Sequence, residues 1–184
     1  MGPAEDFAKR NGFAIKGKIS KGWTSEIFLA MKGKKRVVLK ALREKSNRKG
    51  MALRESENLK IANSAGVGPK LIAADVDCGV VAMEYIEGVR FSEWLYSGIS
   101  GDELENFIDE LFSQAKLLDC LGLDHGQLAG RGNNILVRGG LPVIIDFEKA
   151  SAKRRVHNLK VVESFIFRSK DSAIVKRIGK ILDE

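Results

Sequence analysis

Polar and apolar residues change rhythm along this chain, and the change divides it. In the first 45 residues the runs AIKGKIS (14–20), EIFLAMK (26–32) and KRVVLKAL (35–42) are short, rich in branched and aromatic residues, and separated by Lys/Gly turns. That pattern predicts strands throughout this stretch, with GKK (33–35) as the hairpin turn between the second and third. Residues 48–64 then take helical spacing, with Ser46 or Asn47 as the cap, until SAGVGP (64–69) stops the helix. Two further strands are expected in KLIAADV (70–76) and GVVAMEY (79–85), followed by IEGVR (86–90) as a connector.

Beyond residue 90 the period lengthens. Leu104, Phe107, Ile108, Leu111, Ala115, Leu118 and Leu121 recur every three or four positions, so one face of a long helix packs on a core. Ser100 and Glu103 stand in capping-box spacing at its start, and Gly122 closes it. NILVR (134–138) and LPVIIDF (141–147) read as short strands joined at Gly139-Gly140, and two helices are expected near 157–167 and 171–182. A strand-rich half followed by a helical half is an α+β arrangement, two lobes with a cleft between them.

Composition narrows the setting. The chain has 184 residues, of which 44% are hydrophobic, enough for an ordinary core. No apolar run approaches the roughly 20 residues of a membrane span, and the N-terminus lacks an apolar signal core. The chain begins Met-Gly, but Asp6 breaks the myristoylation pattern. Cys78 and Cys120 make no disulfide framework. A cytoplasmic protein with no membrane partner is the expectation. The net charge of +7 suits a polyanionic partner, although a solvated charged surface accounts for it equally simply.

Four side chains stand out chemically. Lys40 shares a strand face with Val38 and Leu42, and an ammonium there needs a counter-charge or an anionic ligand unless the strand is an edge that reaches water. Glu55 falls in the stripe Ala52, Glu55, Leu59, Ala62 and is its favoured partner; Glu57, between Leu53 and Ile61, is the rival. Asp146 ends an apolar strand beside the one that Asn134 enters, and a carboxylate with an amide oxygen at such strand ends can hold Mg²⁺. Between the first two strands, ISKGWTSEIFLA offers a flap with Lys21, Gly22 and the hydroxyls of Ser20, Thr24 and Ser25. A single glycine makes it weak evidence for a phosphate-cradling loop.

The order VVLK, helix glutamate, VAMEYIEG, HGQL…NNILV, IIDFE resembles the protein kinase-like superfamily, and within it the small archaeal Rio and Bud-type kinases. GWTSEIFLA, GVGPKL and IIDFEKA are similar to the predicted archaeal serine/threonine kinases of that group, and the resemblance runs from residue 15 to 165. It implies a small antiparallel-sheet N-lobe with one helix (1–84), a hinge (85–90) and a trimmed, mainly helical C-lobe (91–184). It also implies ATP and Mg²⁺ as cofactors and transfer of the γ-phosphate to Ser/Thr of a protein acceptor or of the chain itself. By position, Lys40 would hold the α/β-phosphates and pair with Glu55, Asp146 would be the principal Mg²⁺ ligand, and Asn134 the second. Met83 would stand beside adenine, with the backbone of Glu84 and Ile86 bonding the base. Rio and Bud-type relatives work around ribosomes or tRNA-modification assemblies, so an RNA-protein partner is implied too. The basic stretch KRRVHNLK (153–160) and the later Lys176, Arg177 and Lys180 could serve it.

The departures are informative. Glu148 replaces the glycine of D-F-G, and only 38 residues follow Asp146, too few for a conventional activation segment plus full substrate-binding helices. Gln127 stands at the catalytic Asp, seven residues before Asn134 where the family pattern has five. An amide cannot take a proton at neutral pH, although it can orient a hydroxyl. Loss of a base costs about 10²–10⁴-fold, and a loose transition state leans on positioning and electrostatics. Asp124, three residues upstream, is the alternative carboxylate. A pseudokinase that binds nucleotide without turnover is the competing reading.

Overall fold

The computed structural model describes residues 2–43, 50–128, 132–168 and 172–183. Five antiparallel strands make the first sheet: β1 (Ala14–Lys21), β2 (Ser25–Lys32), β3 (Lys35–Leu42), β4 (Leu71–Asp75) and β5 (Val80–Glu84), in the order β1-β2-β3-β5-β4. Central β3 is buried on both faces, and side-chain alternation divides it. Val37, Leu39 and Ala41 point one way, while Val38 and Lys40 point the other, into the cleft.

The first face explains an element that strand patterning does not predict. Pro3–Asn11 is a helix, α1, and so the expectation of strands throughout the first 45 residues is corrected there. Its Phe7 and Ala8, with Phe13, cluster against Val37, Leu39 and Ala41, and without this cover the outer face of the sheet would lie in water. The local signals for a helix are present. Pro3 sits in the first turn with Glu5 and Asp6, Lys9 and Arg10 close the last turn, and Gly12 takes the left-handed conformation at φ +70°.

Helix α2 (Met51–Ser64) follows, preceded by Gly50 at φ +75°. The described helix starts at 51, and residues 48 and 49 of the expected helix, with the expected caps Ser46 and Asn47, lie outside the described residues. Beyond β5 the chain runs through 85–88 into a short strand, β6 (Val89–Arg90), within the stretch expected to be only a connector. β6 pairs antiparallel with β7 (Ile135–Arg138), which pairs with β8 (Leu141–Ile144), giving a second sheet of three strands. Glycine is required at position 88, because a Cβ there would collide with the Val137 carbonyl oxygen.

A short helix α3 (Phe91–Leu95) precedes α4 (Gly101–Cys120), whose Ser100/Glu103 capping box forms as expected. α4 buries Leu104, Phe107, Ile108, Leu111, Ala115 and Leu118 in the main core. α5 (Asn158–Glu163) runs on into a π-helical stretch, Ser164–Arg168, and α6 (Ala173–Leu182) ends the described chain. Two core clusters result. One lies under α1. The larger joins α4, α5 and α6 to Ala52, Leu59 and Ala62 of α2 and to Val81 and Met83 of β5.

Candidate active site

A cleft of about 490 Å³ opens between the two sheets, within the range of small-molecule sites. Its apolar walls come from residues on both sides, including Ile27, Val38 and Met83 from the first sheet and Leu136 and Ile145 near the second. Glu84, Tyr85 and Ile86 edge it at the crossing between the sheets, and Gly22, Thr24 and Ser25 edge it at the β1–β2 turn. Ile27, Leu136 and Ile145 did not stand out in the sequence, because an apolar residue on a short strand looks the same whether it faces a core or a ligand.

The charges converge on Lys40, whose side chain is 8% exposed. Its Nζ lies 2.9 Å from Asp146 Oδ1 and 3.4 Å from Glu148 Oε2. To Glu55 it makes a hydrogen bond of 3.0 Å at Oε1 and approaches Oε2 at 2.9 Å without hydrogen-bond geometry. Oε2 is buried and makes no hydrogen bond. Glu57 lies on the exposed face of α2, so Glu55 is the carboxylate that faces the sheet.

Burial alone would lower the pKa of Lys40, but the charges of Glu55 and Asp146 reverse this and hold it above the ordinary lysine value. Burial raises Glu55, and Lys40 offsets part of that rise. Burial would raise Asp146 too, yet the Lys40 ammonium leaves it below the usual carboxylate range. Lys40 is therefore a firmly charged ammonium in a site dominated by carboxylates.

Asp146 has φ +66° and ψ 69°, and is the one non-glycine residue with positive φ among those described. Aspartate tolerates this region better than most side chains, and such strain gathers where a side chain must be aimed. The turn after it, Phe147–Lys149, is fixed from three sides. Asn58 Nδ2 donates to the carbonyls of Phe147 and Ala150 at 3.0 and 2.8 Å. Phe147 is fully buried, with the His125 ring packed edge-on at 4.9 Å. Gly68 passes so close that a Cβ would lie 2.7 Å from the Phe147 ring.

Asn134 lines the cleft and donates its amide hydrogen to the Gln127 carbonyl at 3.0 Å, which leaves its Oδ1 for a ligand. Mg²⁺ takes one or two protein oxygens and completes its shell with water and phosphate, so Asp146 and Asn134 are a donor set of the right kind. Lys40 likewise fits a phosphate, being buried, charged and at the cleft wall.

Other expected site residues stand elsewhere. Lys21 is exposed, outside the cleft lining, with Nζ 3.8 Å from Glu26. Asp124 and Gln127 line a second cavity of about 410 Å³ together with Arg154, His157 and Asn158. Asp124 is buried, and Arg154 Nε donates to its Oδ2 at 2.7 Å. Asn158 is itself buried. It accepts from the His125 amide at 2.8 Å and donates to Asp119 Oδ1 and to the Leu123 carbonyl. This network fixes the backbone on which Asp124, His125 and Gln127 are carried. Burial holds His125 below its ordinary pKa, and its Nε2 lies 3.0 Å from the Ile145 carbonyl.

A five-stranded sheet facing a helical half across a cleft that carries this lysine, glutamate and strained aspartate defines a protein kinase-like protein. Within that class the chain belongs to the RIO domain family, whose model matches residues 21–165. The chain is also similar to a probable bifunctional tRNA threonylcarbamoyladenosine biosynthesis protein of Methanothermobacter thermautotrophicus, with 30% identity over 142 residues. That match takes in 71% of this chain and 25% of the relative, so the chain spans about a quarter of the relative's length. Among the described residues no helix is long and apolar enough to cross a membrane.

Proposed function

We propose that this protein binds ATP with Mg²⁺ and transfers the γ-phosphate to Ser or Thr, on a protein acceptor or on itself. The observation that carries this reading is the convergence of Lys40, from the first sheet, and Asp146, from the second half, at 2.9 Å on the wall of one cleft. Lys40 would hold the α/β-phosphates, with Glu55 keeping the ammonium in place. Asp146 and Asn134 would hold the metal, which when bound neutralises charge on the phosphates. The backbone at Glu84 and Ile86 would receive the base, with Met83 at the back of the slot, and Gly22 and Ser25 would cover the phosphates. The free thiols of Cys78 and Cys120 fit a reducing, cytoplasmic setting.

Thermal unfolding tests the binding. Millimolar ATP with Mg²⁺ raises the melting temperature, and Asp146→Ala removes the shift. Trp23, 95% exposed between the cleft-lining residues Gly22 and Thr24, gives a second readout by fluorescence. If neither signal responds to nucleotide, the reading fails.

A second reading, a pseudokinase that binds nucleotide without turnover, draws on Gln127 and on the capture of Asp124 by Arg154. Phosphate transfer by wild type, Gln127→Asp and Asp124→Ala separates the two. Turnover that rises in Gln127→Asp marks the position of the base, whereas three equally inert proteins favour the binding module. An RNA-protein partner is in keeping with the similarity to a probable tRNA threonylcarbamoyladenosine biosynthesis protein and with the exposed Lys153, Arg154 and Arg155. Salt-independent behaviour on a polyanion column would remove it.

A further inference from the structure

The excess positive charge of this chain is confined to one part of it. Residues 14–43, the strands β1, β2 and β3 with their turns, hold nine lysines and arginines against a single acid, Glu26, a balance of +8 in a chain of +7. The remaining residues are close to neutral, so a uniformly solvated surface does not account for the excess. Lys40 apart, none of the nine is buried. Lys18 and Lys21 share Glu26, at 3.0 and 3.8 Å. Lys16, Lys34 and Lys35 are exposed and make no ion pair among the described residues. Beside these cations stands a bare aromatic ring. Trp23 is 95% exposed at the β1–β2 turn, and Ile19 on β1 is 51% exposed. The turn itself is fixed: the Gly22 N–H donates to the Ser25 carbonyl at 2.9 Å, and Arg43 Nη1 donates to the carbonyls of Gly22 and Trp23 at 3.0 and 3.4 Å. β1 is an edge strand, exposed at every position but Ile15. Lysines on such an edge guard against strand-to-strand aggregation. That role does not call for an indole and an isoleucine on the same edge, which work against it.

We propose that this edge binds an unpaired stretch of RNA, with Trp23 as the platform on which a base stacks and Lys16, Lys34 and Lys35 as phosphate contacts. The charge selects a polyanion, and the exposed indole selects one with flat faces to stack. Bases in a duplex are already stacked, whereas the loops and ends of folded RNA splay theirs out. β1 runs from the turn of Trp23 back towards Lys34, since Lys21 pairs with Glu26 and Ala14 with Met31. Eight residues of strand span about 25 Å, room for several nucleotides and in keeping with single-strand sites of about 4–16. The contact with RNA is thereby placed on the first sheet and not on the basic stretch 153–160. Neither Lys40 nor Asp146 takes part, so the inference stands without the phosphotransfer reading.

The experiment is fluorescence anisotropy of a labelled RNA of about 12 uridines, without ATP, across about 50 to 200 mM salt. Wild type should bind, with an affinity that falls steeply as salt rises. The combined variant Lys16→Ala, Lys34→Ala, Lys35→Ala should lower the log–log salt slope by about 2, at about 0.7 per phosphate contact. Trp23→Ala should weaken binding about 10- to 100-fold and leave the slope unchanged, while Trp23→Phe keeps most of the affinity. All these side chains are exposed, so the melting temperature of each variant should match wild type and show that it is folded. Lys153→Ala with Arg155→Ala, in the basic stretch of the other half, should change neither affinity nor slope. Failure of wild type to bind at low salt overturns the proposal, as does a Trp23→Ala protein that binds like wild type or a lysine variant that keeps the slope. An equal loss in the Lys153, Arg155 variant overturns it too. So does tighter binding of duplex RNA, of single-stranded DNA of the same length or of phosphatidylserine vesicles, each of which would name a different partner.

Discussion

At the level of single residues the site is a matter of balancing buried charges. Removing Lys40 leaves Glu55 buried and uncompensated, and breaking a buried pair from one side typically costs about 3–5 kcal/mol. Lys40→Met should therefore lower stability by about that amount, measured by urea unfolding. The double variant Lys40→Met, Glu55→Met should recover a large part of the loss, because it removes both members of the pair and leaves apolar side chains. Equal losses in the single and double variants would mean that Glu55 does not depend on Lys40. Much of this pair was legible beforehand. Alternation along VVLKAL put Lys40 on the face of Val38, and the small-residue stripe favoured Glu55 over Glu57. The Lys40–Glu148 contact was not legible, because it depends on how the turn after Asp146 folds back, and nothing in the local pattern at 148 records that.

At the level of elements, the chain shows where period-based reading succeeds and where it fails. The capping box at Ser100 and Glu103 and the stripe of α4 were readable because cap and period agreed over twenty residues. Helix α1 has only nine residues and buries just Ala4, Phe7 and Ala8, so its period competed poorly with the strands that follow. Its caps carried the better signal. β6 has two residues and exists only because β7 lies beside it, which no local pattern encodes. Since α1 is the cover of the outer sheet face, its anchor should matter well beyond its length. Phe7 is 1% exposed and stacks on Phe13 at 5.7 Å. Phe7→Ala should cost about 3–5 kcal/mol, while a change at exposed Lys9 should cost less than about 0.5 kcal/mol. Comparable losses at the two positions would mean that α1 is not a load on the sheet.

At the level of the whole molecule, the question is whether the two halves unfold separately, as lobes on either side of a cleft could. The order of motifs along the chain made the two halves and the cleft readable, but not their attachment. Asn58 reaches Phe147 and Ala150 across about ninety residues of sequence, and neither end of that contact looks unusual in its own segment. The core argues for one unit. Ala52, Leu59 and Ala62 of α2, although they belong to the first half, share a continuous cluster with Phe107, Leu111 and Ile144 of the second. A helix cannot leave one half without exposing the core of the other, so opening the cleft far enough to separate them costs most of the burial energy of both. Unfolding should then be a single transition. In a Trp23→Phe background, fluorescence of the buried Trp94 reports the larger core, and far-UV circular dichroism reports both sheets and all helices. The two melting curves should coincide, and Asn58→Ala, by stripping the Ala150 carbonyl of its side-chain donor and leaving the Phe147 carbonyl only the Ala150 amide, should lower both midpoints together at a cost of about 1–3 kcal/mol. Curves that separate, in wild type or in the variant, would show that α2 and the turn bearing Asp146 can part while each half stays folded. The ion cluster on Lys40 would then be a contact between independent bodies rather than the centre of one.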